Sequence, residues 1–253
     1  MSFASAGRWH LKGRQLLPIV QGGMGVGVSA HRLAGTVARA GAVGTVASID
    51  LRHHHPDLLE MTAGARDKDA IDRANLIALD REITRALALS EGHGAIAVNV
   101  MKAVSQHAAY VRQACASGAH AIVMGAGLPF DLPEMVAGYP DVALIPILSD
   151  ARGVALVIKK WERKQRLPDA IVIEHPAHAG GHLGAAKVAD VSDARFEFET
   201  VIPAVREFLR CAGVEREVPV IAAGGVRSYE DIARLQALGA AAVQLGTPFV
   251  ATE

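Results

Sequence analysis

Short apolar runs recur along the chain, and the stretches between them carry apolar residues at helical spacing. Eight such runs begin near residues 17, 43, 95, 121, 143, 170, 219 and 241. Five of the seven intervals are 22 to 27 residues long, about the length of one strand and one helix. Continuous apolar runs are typical of parallel strands buried on both faces. Eight successive units predict an α/β fold, a (β/α)8 TIM barrel, with a doubly wound sheet as the structural alternative.

Helices are predicted between these strands. They cover 29–40, at least 80–91 with a start as early as about 70, 105–117, a helix after 150, 200–212 and 228–238. Ser29 is the expected N-cap of the first. The helix after 150 has an apolar face at i, i+3, i+4 and i+7, formed by Val154, Val157, Ile158 and Trp161. The two longer intervals predict irregular loops at about 49–79 and 185–196.

The chain stops soon after the eighth strand, at Thr252 and Glu253. We therefore expect one domain over residues 1–253 that lacks the eighth helix of the barrel. Strands eight and one would then expose apolar surface, and a homodimer is one way to cover it.

Composition narrows the classes of partner. The 253 residues carry 26 basic and 26 acidic side chains, which gives no electrostatic case for nucleic acid or a membrane surface. No apolar run reaches the roughly 18 residues of a spanning helix, and the N-terminus lacks a signal-peptide apolar region. Cys115 and Cys211 form no metal-ligand spacing, so no metal is predicted. A reduced, cytoplasmic setting is the expectation.

The candidate chemistry collects where the strands end, which is where barrel enzymes place their active sites. In chain order these ends are Gln21–Gly25, Asn99, Gly125–Gly127, Ser149–Asp150, Glu174–His182, Gly224–Gly225 and Gln244–Thr247. Glycine occurs at five of the eight ends, which would leave a bare floor for a large planar ligand.

The ends of strands seven and eight match the usual phosphate site of barrels. Backbone amides of Gly224, Gly225 and Gly246, with the Thr247 hydroxyl, would cradle a phosphate. A phosphate there and a floor that reaches strand one have the span of flavin mononucleotide (FMN). Asn99 would hold the polar edge of the ring or the ribityl chain.

The sequence at these ends resembles a known family. LLPIVQGGMGVGVS, AIVMGAGLP, ALIPILS, AGGHLG, PVIAAGG and VQLGTPFVATE, in this order, are similar to the nitronate monooxygenases, formerly called 2-nitropropane dioxygenases. The resemblance covers roughly residues 15–253 and implies an FMN-binding barrel. It implies that the histidine of AGGHLG, His182, is the catalytic base or positions the substrate.

The predicted cofactor contacts follow from the same motifs. The resemblance implies Gly22, Gly23, Met24, Asn99, Gly181, Gly225, Gln244, Gly246 and Thr247, and Glu174, Gly180 and Gly224 adjoin them at the same strand ends. The chain departs from the family in two ways. It stops before the C-terminal segment that helps to wall the family's active site, and His175 and His178 stand where less polar residues are expected.

The implied reaction is oxidative denitrification of alkyl nitronates, and of nitroalkanes where a base removes the α-proton. Molecular oxygen is the co-substrate, and a carbonyl compound and nitrite are the products. The scaffold also resembles flavin-dependent NAD(P)H:quinone reductases and enoyl-thioester reductases, which share the GGH element. A third alternative, of another class, is a non-catalytic flavin-binding barrel domain of a larger assembly. If His175 and His178 are solvated loop residues, replacing them should cost little.

Overall fold

The computed structural model describes residues 7–65, 67–180 and 187–252. Eight parallel strands in this part of the chain form a closed barrel, preceded by a two-stranded antiparallel hairpin. The hairpin strands are β1 (Trp9–Leu11) and β2 (Arg14–Leu16). The barrel strands are β3 (Ile19–Gln21), β4 (Val43–Ala47), β5 (Ala95–Met101), β6 (Ala121–Gly125), β7 (Ala143–Leu148), β8 (Ile171–Glu174), β9 (Val220–Ala223) and β10 (Ala242–Leu245). The TIM barrel and its eight predicted strands are therefore confirmed.

Helices separate most of the strands and cover the outside of the barrel. They are α1 (His31–Arg39), α2 (Pro56–Met61), α3 (Lys68–Ser90), α4 (His107–Ala116), α5 (Leu132–Met135), α6 (Ala151–Glu162), α7 (Phe198–Cys211), α8 (Tyr229–Ala237) and α9 (Thr247–Val250). Trp161 of α6 is fully buried, as the predicted apolar face requires. None of the helices in the described ranges is long and apolar enough to cross a membrane.

The barrel closes where β10 pairs with β3. The register places Val243 opposite Ile19 and Leu245 opposite Gln21. Beyond the strands, the Gly22 amide donates to the Leu245 carbonyl at 2.8 Å. The ends of the first and last barrel strands are thereby held side by side.

The hairpin seals the N-terminal end of the barrel. Trp9, Leu11 and Leu16 are buried and pack with the small interior residues of the strands, such as Ala95 and Ala121. The Trp9 indole donates from Nε1 to the Leu17 carbonyl at 2.9 Å. The barrel therefore opens to ligands at its C-terminal end.

The segment between β4 and α3 differs from the predicted loop over 49–79. It holds a 3-10 turn at Leu51–His54 and helix α2, and α3 begins at Lys68. The early start near 70 that the sequence allowed for the next helix agrees with Lys68, whereas the loop prediction was wrong over 51–61, where polar residues on the exposed faces hide the apolar spacing. Leu58 of α2 and Leu79 and Ile83 of α3 supply the buried contacts.

Candidate active site

Two adjoining cavities lie at the carboxyl ends of the barrel strands. One has a volume of about 490 Å³ and the other about 570 Å³, and each is within the size range of small-molecule sites. They share a lining of Gly23, Met24, Glu174, Gly180 and Gln244. We call this pair of cavities the strand-end cleft. Because the two cavities share part of their lining, one extended ligand could occupy both.

The predicted site residues fall into the two halves. Gly22, Gly224, Gly225, Gly246 and Thr247 line the smaller cavity, which we call the glycine half. Asn99 lines the larger cavity, here the ring half, with Ser48, Met101 and Ile147. His182 and Gly181 lie outside the described residues.

The loop after β3 has no room for side chains at its glycines. A methyl group at Gly23 would lie 2.4 Å from Cβ of Asn99, and one at Gly25 would lie 2.6 Å from Cγ2 of Ile49. Such contacts are far inside van der Waals distance. The bare backbone that the sequence predicts is thus required by packing at these positions.

Ser29 fixes this loop instead of capping a helix. Its hydroxyl accepts a hydrogen bond from the Met24 amide at 2.7 Å, and α1 begins two residues later with Ala30 as its N-cap. The predicted role of Ser29 was wrong because the nearby loop offered its oxygen another amide. The first amide of α1, at His31, donates instead to Glu82 Oε2 at 2.7 Å.

Gly224 and Gly225 turn the chain sharply after β9. Their φ angles are 106° and 72°, in the left-handed region that side chains rarely adopt. The cavity wall at this point is therefore main chain. Next to it stand two basic side chains, His178 and Arg227.

Glu174 ends strand β8 and lines both halves of the cleft. Burial raises the pKa of its carboxyl to about 7, because the charged form loses hydration. The group can therefore hold or release a proton near neutral pH. The sequence indicates its place at a strand end, but not its change of pKa.

His175 is not a solvated loop residue. Only 6% of it is exposed, and its ring packs against the ring of Phe198 with centroids 5.7 Å apart. Its Nδ1 accepts from the Ala177 amide at 3.2 Å, and Nε2 faces Glu197 Oε1 at 3.6 Å. Its amide also donates to the Ala223 carbonyl at 2.9 Å. The loop after β8 is thus held against β9.

His178 is exposed at the cleft and lies over the glycine turn. Its Cβ would be 3.1 Å from a methyl group at Gly224, and its Cδ2 would be 3.0 Å from one at Gly225. Sequence reasoning left this residue without a role. The sequence feature that could have marked it is its position three residues after His175 in the loop after β8.

A further cavity, of about 670 Å³, lies at the opposite end of the barrel beside the hairpin. Its charged groups include the pairs Lys12–Asp169, at 3.3 Å, and Arg206–Glu215, at 2.8 Å. No residue from the carboxyl ends of the strands lines it. Although this cavity is larger than either half of the strand-end cleft, it is therefore not the candidate active site.

The fold and the cleft define an α/β-barrel protein with an open cleft at the carboxyl face of its strands. The chain belongs to the nitronate monooxygenase family, whose model matches residues 11–253.

Solved structures share the barrel. A nitroalkane oxidase from Streptomyces ansochromogenes is 20% identical, with a TM-score of 0.66 over 94% of this chain and 67% of that one. FabK from Thermotoga maritima is 21% identical, with a TM-score of 0.62 over 93% of this chain and 59% of that one. A point variant of the same FabK gives 0.63 at 23% identity, and the chain spans 63% of its length. At these identities the likeness establishes the fold.

A curated relative matches over a shorter stretch. The archaeal glutamate synthase [NADPH] of Methanocaldococcus jannaschii is 39% identical over 79 residues, which are 31% of this chain and 15% of that protein. This local match covers too little of either protein to define a shared activity.

Proposed function

We propose that the strand-end cleft binds FMN. The phosphate would lie against Gly224, Gly225, Gly246 and Thr247, and the ring would extend toward Asn99. The residues fit this group because the glycine half has main-chain walls and the ring half has a mainly apolar lining. The observation that carries the proposal is this two-part cleft in a chain whose residues 11–253 match the family.

We further propose that the substrate is an alkyl nitronate and that molecular oxygen is the co-substrate. When bound, the flavin supplies the capacity to take electrons from the substrate and pass them to oxygen. Met101, Ile147 and Val26 would receive the alkyl part of the substrate by apolar contact. The expected products are a carbonyl compound and nitrite.

Two flavin reductase reactions are the competing proposal: NAD(P)H:quinone reduction and enoyl-thioester reduction. The observation in their favour is the GGH element at 180–182, which the sequence shares with those reductases. A reductase requires that a reduced nicotinamide bleach the flavin without oxygen. A non-catalytic flavin-binding barrel, the third alternative, would turn over no substrate of either kind.

The test begins with the cofactor. The purified protein is denatured and the released flavin is identified by chromatography. The reconstituted protein is then supplied with propyl-2-nitronate, and oxygen uptake and nitrite are measured. We expect FMN, oxygen consumption and nitrite. Rapid anaerobic bleaching by NADH or NADPH with no nitrite formation would favour the reductases.

We propose His182 as the catalytic base for neutral nitroalkanes. Only a neutral substrate must lose a proton on the enzyme, and a positioned base contributes roughly 10²- to 10⁴-fold. His182→Asn should therefore reduce turnover of 2-nitropropane by about that factor and affect its preformed nitronate much less. Oxygen uptake with each substrate, at equal flavin content, measures both effects.

His93→Asn is the matched control, because His93 is exposed near the N-terminal end of β5, at the opposite end of the barrel. It should leave both rates unchanged. Equal losses with both substrates in His182→Asn would assign His182 to binding of the anion. Unchanged turnover of 2-nitropropane would refute the catalytic role.

A further inference from the structure

At Gly225, in the turn of the glycine half, the nearest atoms to an added side chain all belong to the ring of His178. Nε2 of His178 would be 3.3 Å from a methyl group at Gly225, so the imidazole stands just beyond the bare Cα. A phosphate group resting on Gly224 and Gly225 would lie beside this ring. Main-chain amides give such a group hydrogen bonds but no full positive charge.

The loop that carries His178 is held in place from two sides. The His178 amide donates to the His175 carbonyl at 3.0 Å, which closes the 3-10 turn Pro176–His178. The buried His175 ring lies 5.1 Å from the His178 ring, between it and Phe198. A fixed loop places the imidazole over the turn with little loss of backbone freedom on binding.

Two basic side chains are among the described residues that line the glycine half, His178 and Arg227. Glu174 lines the same cavity from β8, and Glu197, next to α7, faces His175 and not His178. Arg227 is exposed, and its amide donates to Asp231 at the start of α8. Of His178 and Arg227, only His178 lies close to the Cβ positions of Gly224 and Gly225.

We infer that His178 donates a hydrogen bond to the phosphate of bound FMN and makes the cleft discriminate FMN from riboflavin, which lacks the phosphate. This inference rests on the proposed cofactor and assigns one side chain to its recognition. A hydrogen bond between an imidazole and a phosphate is charge-assisted, and such bonds are about twice as strong as neutral ones.

The experiment compares two ligands that differ in the phosphate alone. Dissociation constants of FMN and riboflavin are measured by flavin fluorescence quenching on the apoprotein. The variants are His178→Ala, His178→Gln and His178→Glu. We expect the preference for FMN to fall roughly 10- to 100-fold in His178→Ala, less in His178→Gln and most in His178→Glu. Riboflavin affinity should stay nearly constant across the series.

Arg227→Ala and His93→Ala complete the set. His93→Ala should change neither affinity. The inference is overturned if His178→Ala keeps the full preference for FMN, if both flavins weaken together, or if Arg227→Ala alone removes the preference. Far-UV circular dichroism of each variant verifies the fold, and His178→Gln, which keeps a donor, separates the hydrogen bond from loop packing.

The two proposals fail in different ways. An unmodified protein that binds neither flavin overturns the proposed function and this inference together. An unmodified protein that prefers FMN, with variants that prefer it equally, overturns the inference alone.

Discussion

Among the described residues that line both halves of the cleft, Glu174 is the one with a titratable side chain. Its backbone belongs to a barrel strand, paired to Ala223, so the carboxyl cannot move far from the centre of the cleft. Burial there disfavours the carboxylate and raises its pKa to about 7. The same environment that makes the group chemically useful also makes the folded protein sensitive to pH.

We expect this carboxyl to lower stability as pH rises from about 4.5 to about 7. Over that range the unfolded chain releases the proton and the folded chain keeps it, so the free energy of unfolding falls. The full shift corresponds to about 3 kcal/mol, and partial hydration reduces it to roughly 1–3 kcal/mol. Glu174→Gln should flatten this part of the profile. Urea unfolding of the apoprotein between pH 4.5 and 8 measures it.

Glu217→Gln serves as the reference, because Glu217 is exposed at the far end of the barrel. The difference in free energy of unfolding between Glu217→Gln and the unmodified protein should not change over this pH range. A Glu174→Gln profile parallel to that of the unmodified protein would show that the carboxyl is not the source of the pH dependence.

At the scale of elements, Glu82 on α3 joins three helices. Its Oε2 accepts from the His31 amide and faces His31 Nδ1, both at 2.7 Å, and Oε1 lies 3.1 Å from His55 Nε2. Only 1% of Glu82 is exposed. His31 begins α1 and His55 precedes α2, so one carboxylate fixes the starts of both helices. The loop that ends in α1 is also the loop that lines the cleft.

Glu82→Ala should destabilise the protein by roughly 3–5 kcal/mol, because it leaves the buried His55, the partly buried His31 and a helix amide without this carboxylate. Denaturant unfolding measures this loss. Glu60→Ala removes an exposed carboxylate from α2 and should change stability by less than about 0.5 kcal/mol. Equal stability of the two variants would contradict the role of Glu82.

Local pattern decided which elements could be predicted. Barrel strands are buried on both faces, so their apolar runs mark them within a few residues, and the glycines at their ends indicate the cleft. The hairpin at Trp9–Leu16 was missed because its three buried side chains alternate with polar ones and meet their partners on distant strands. Glu82 and His178 were missed for the same reason. Glu82 contacts His31 and His55, and His178 lies over Gly225, and folding alone brings these residues together.

At the scale of the molecule, the hairpin of β1 and β2 lies at the end of the barrel opposite to the cleft. We therefore expect it to affect the stability of the protein and not its binding of flavin. Leu16 is fully buried among barrel-interior residues at the end opposite to the cleft. Leu16→Ala should lower the free energy of unfolding by roughly 2–5 kcal/mol through lost contacts and a cavity. The ratio of FMN to riboflavin affinity should not change.

Gln15→Ala, at the exposed neighbouring position of β2, is the control and should be nearly neutral. Unfolding curves and flavin titrations on both variants test the separation. A change of flavin preference in Leu16→Ala would mean that the two ends of the barrel are coupled.

The pairing of β10 with β3 has a consequence for synthesis. Gln21 ends β3, and Ala242 begins β10, the strand with which β3 pairs. On the ribosome, Gln21 emerges more than two hundred residues before Ala242. Until then β3 and β9 each present an unpaired edge, and such edges invite contact between nascent chains. The glycine half of the cleft needs both strand ends, so the growing polypeptide can form this half only after β10 has been translated.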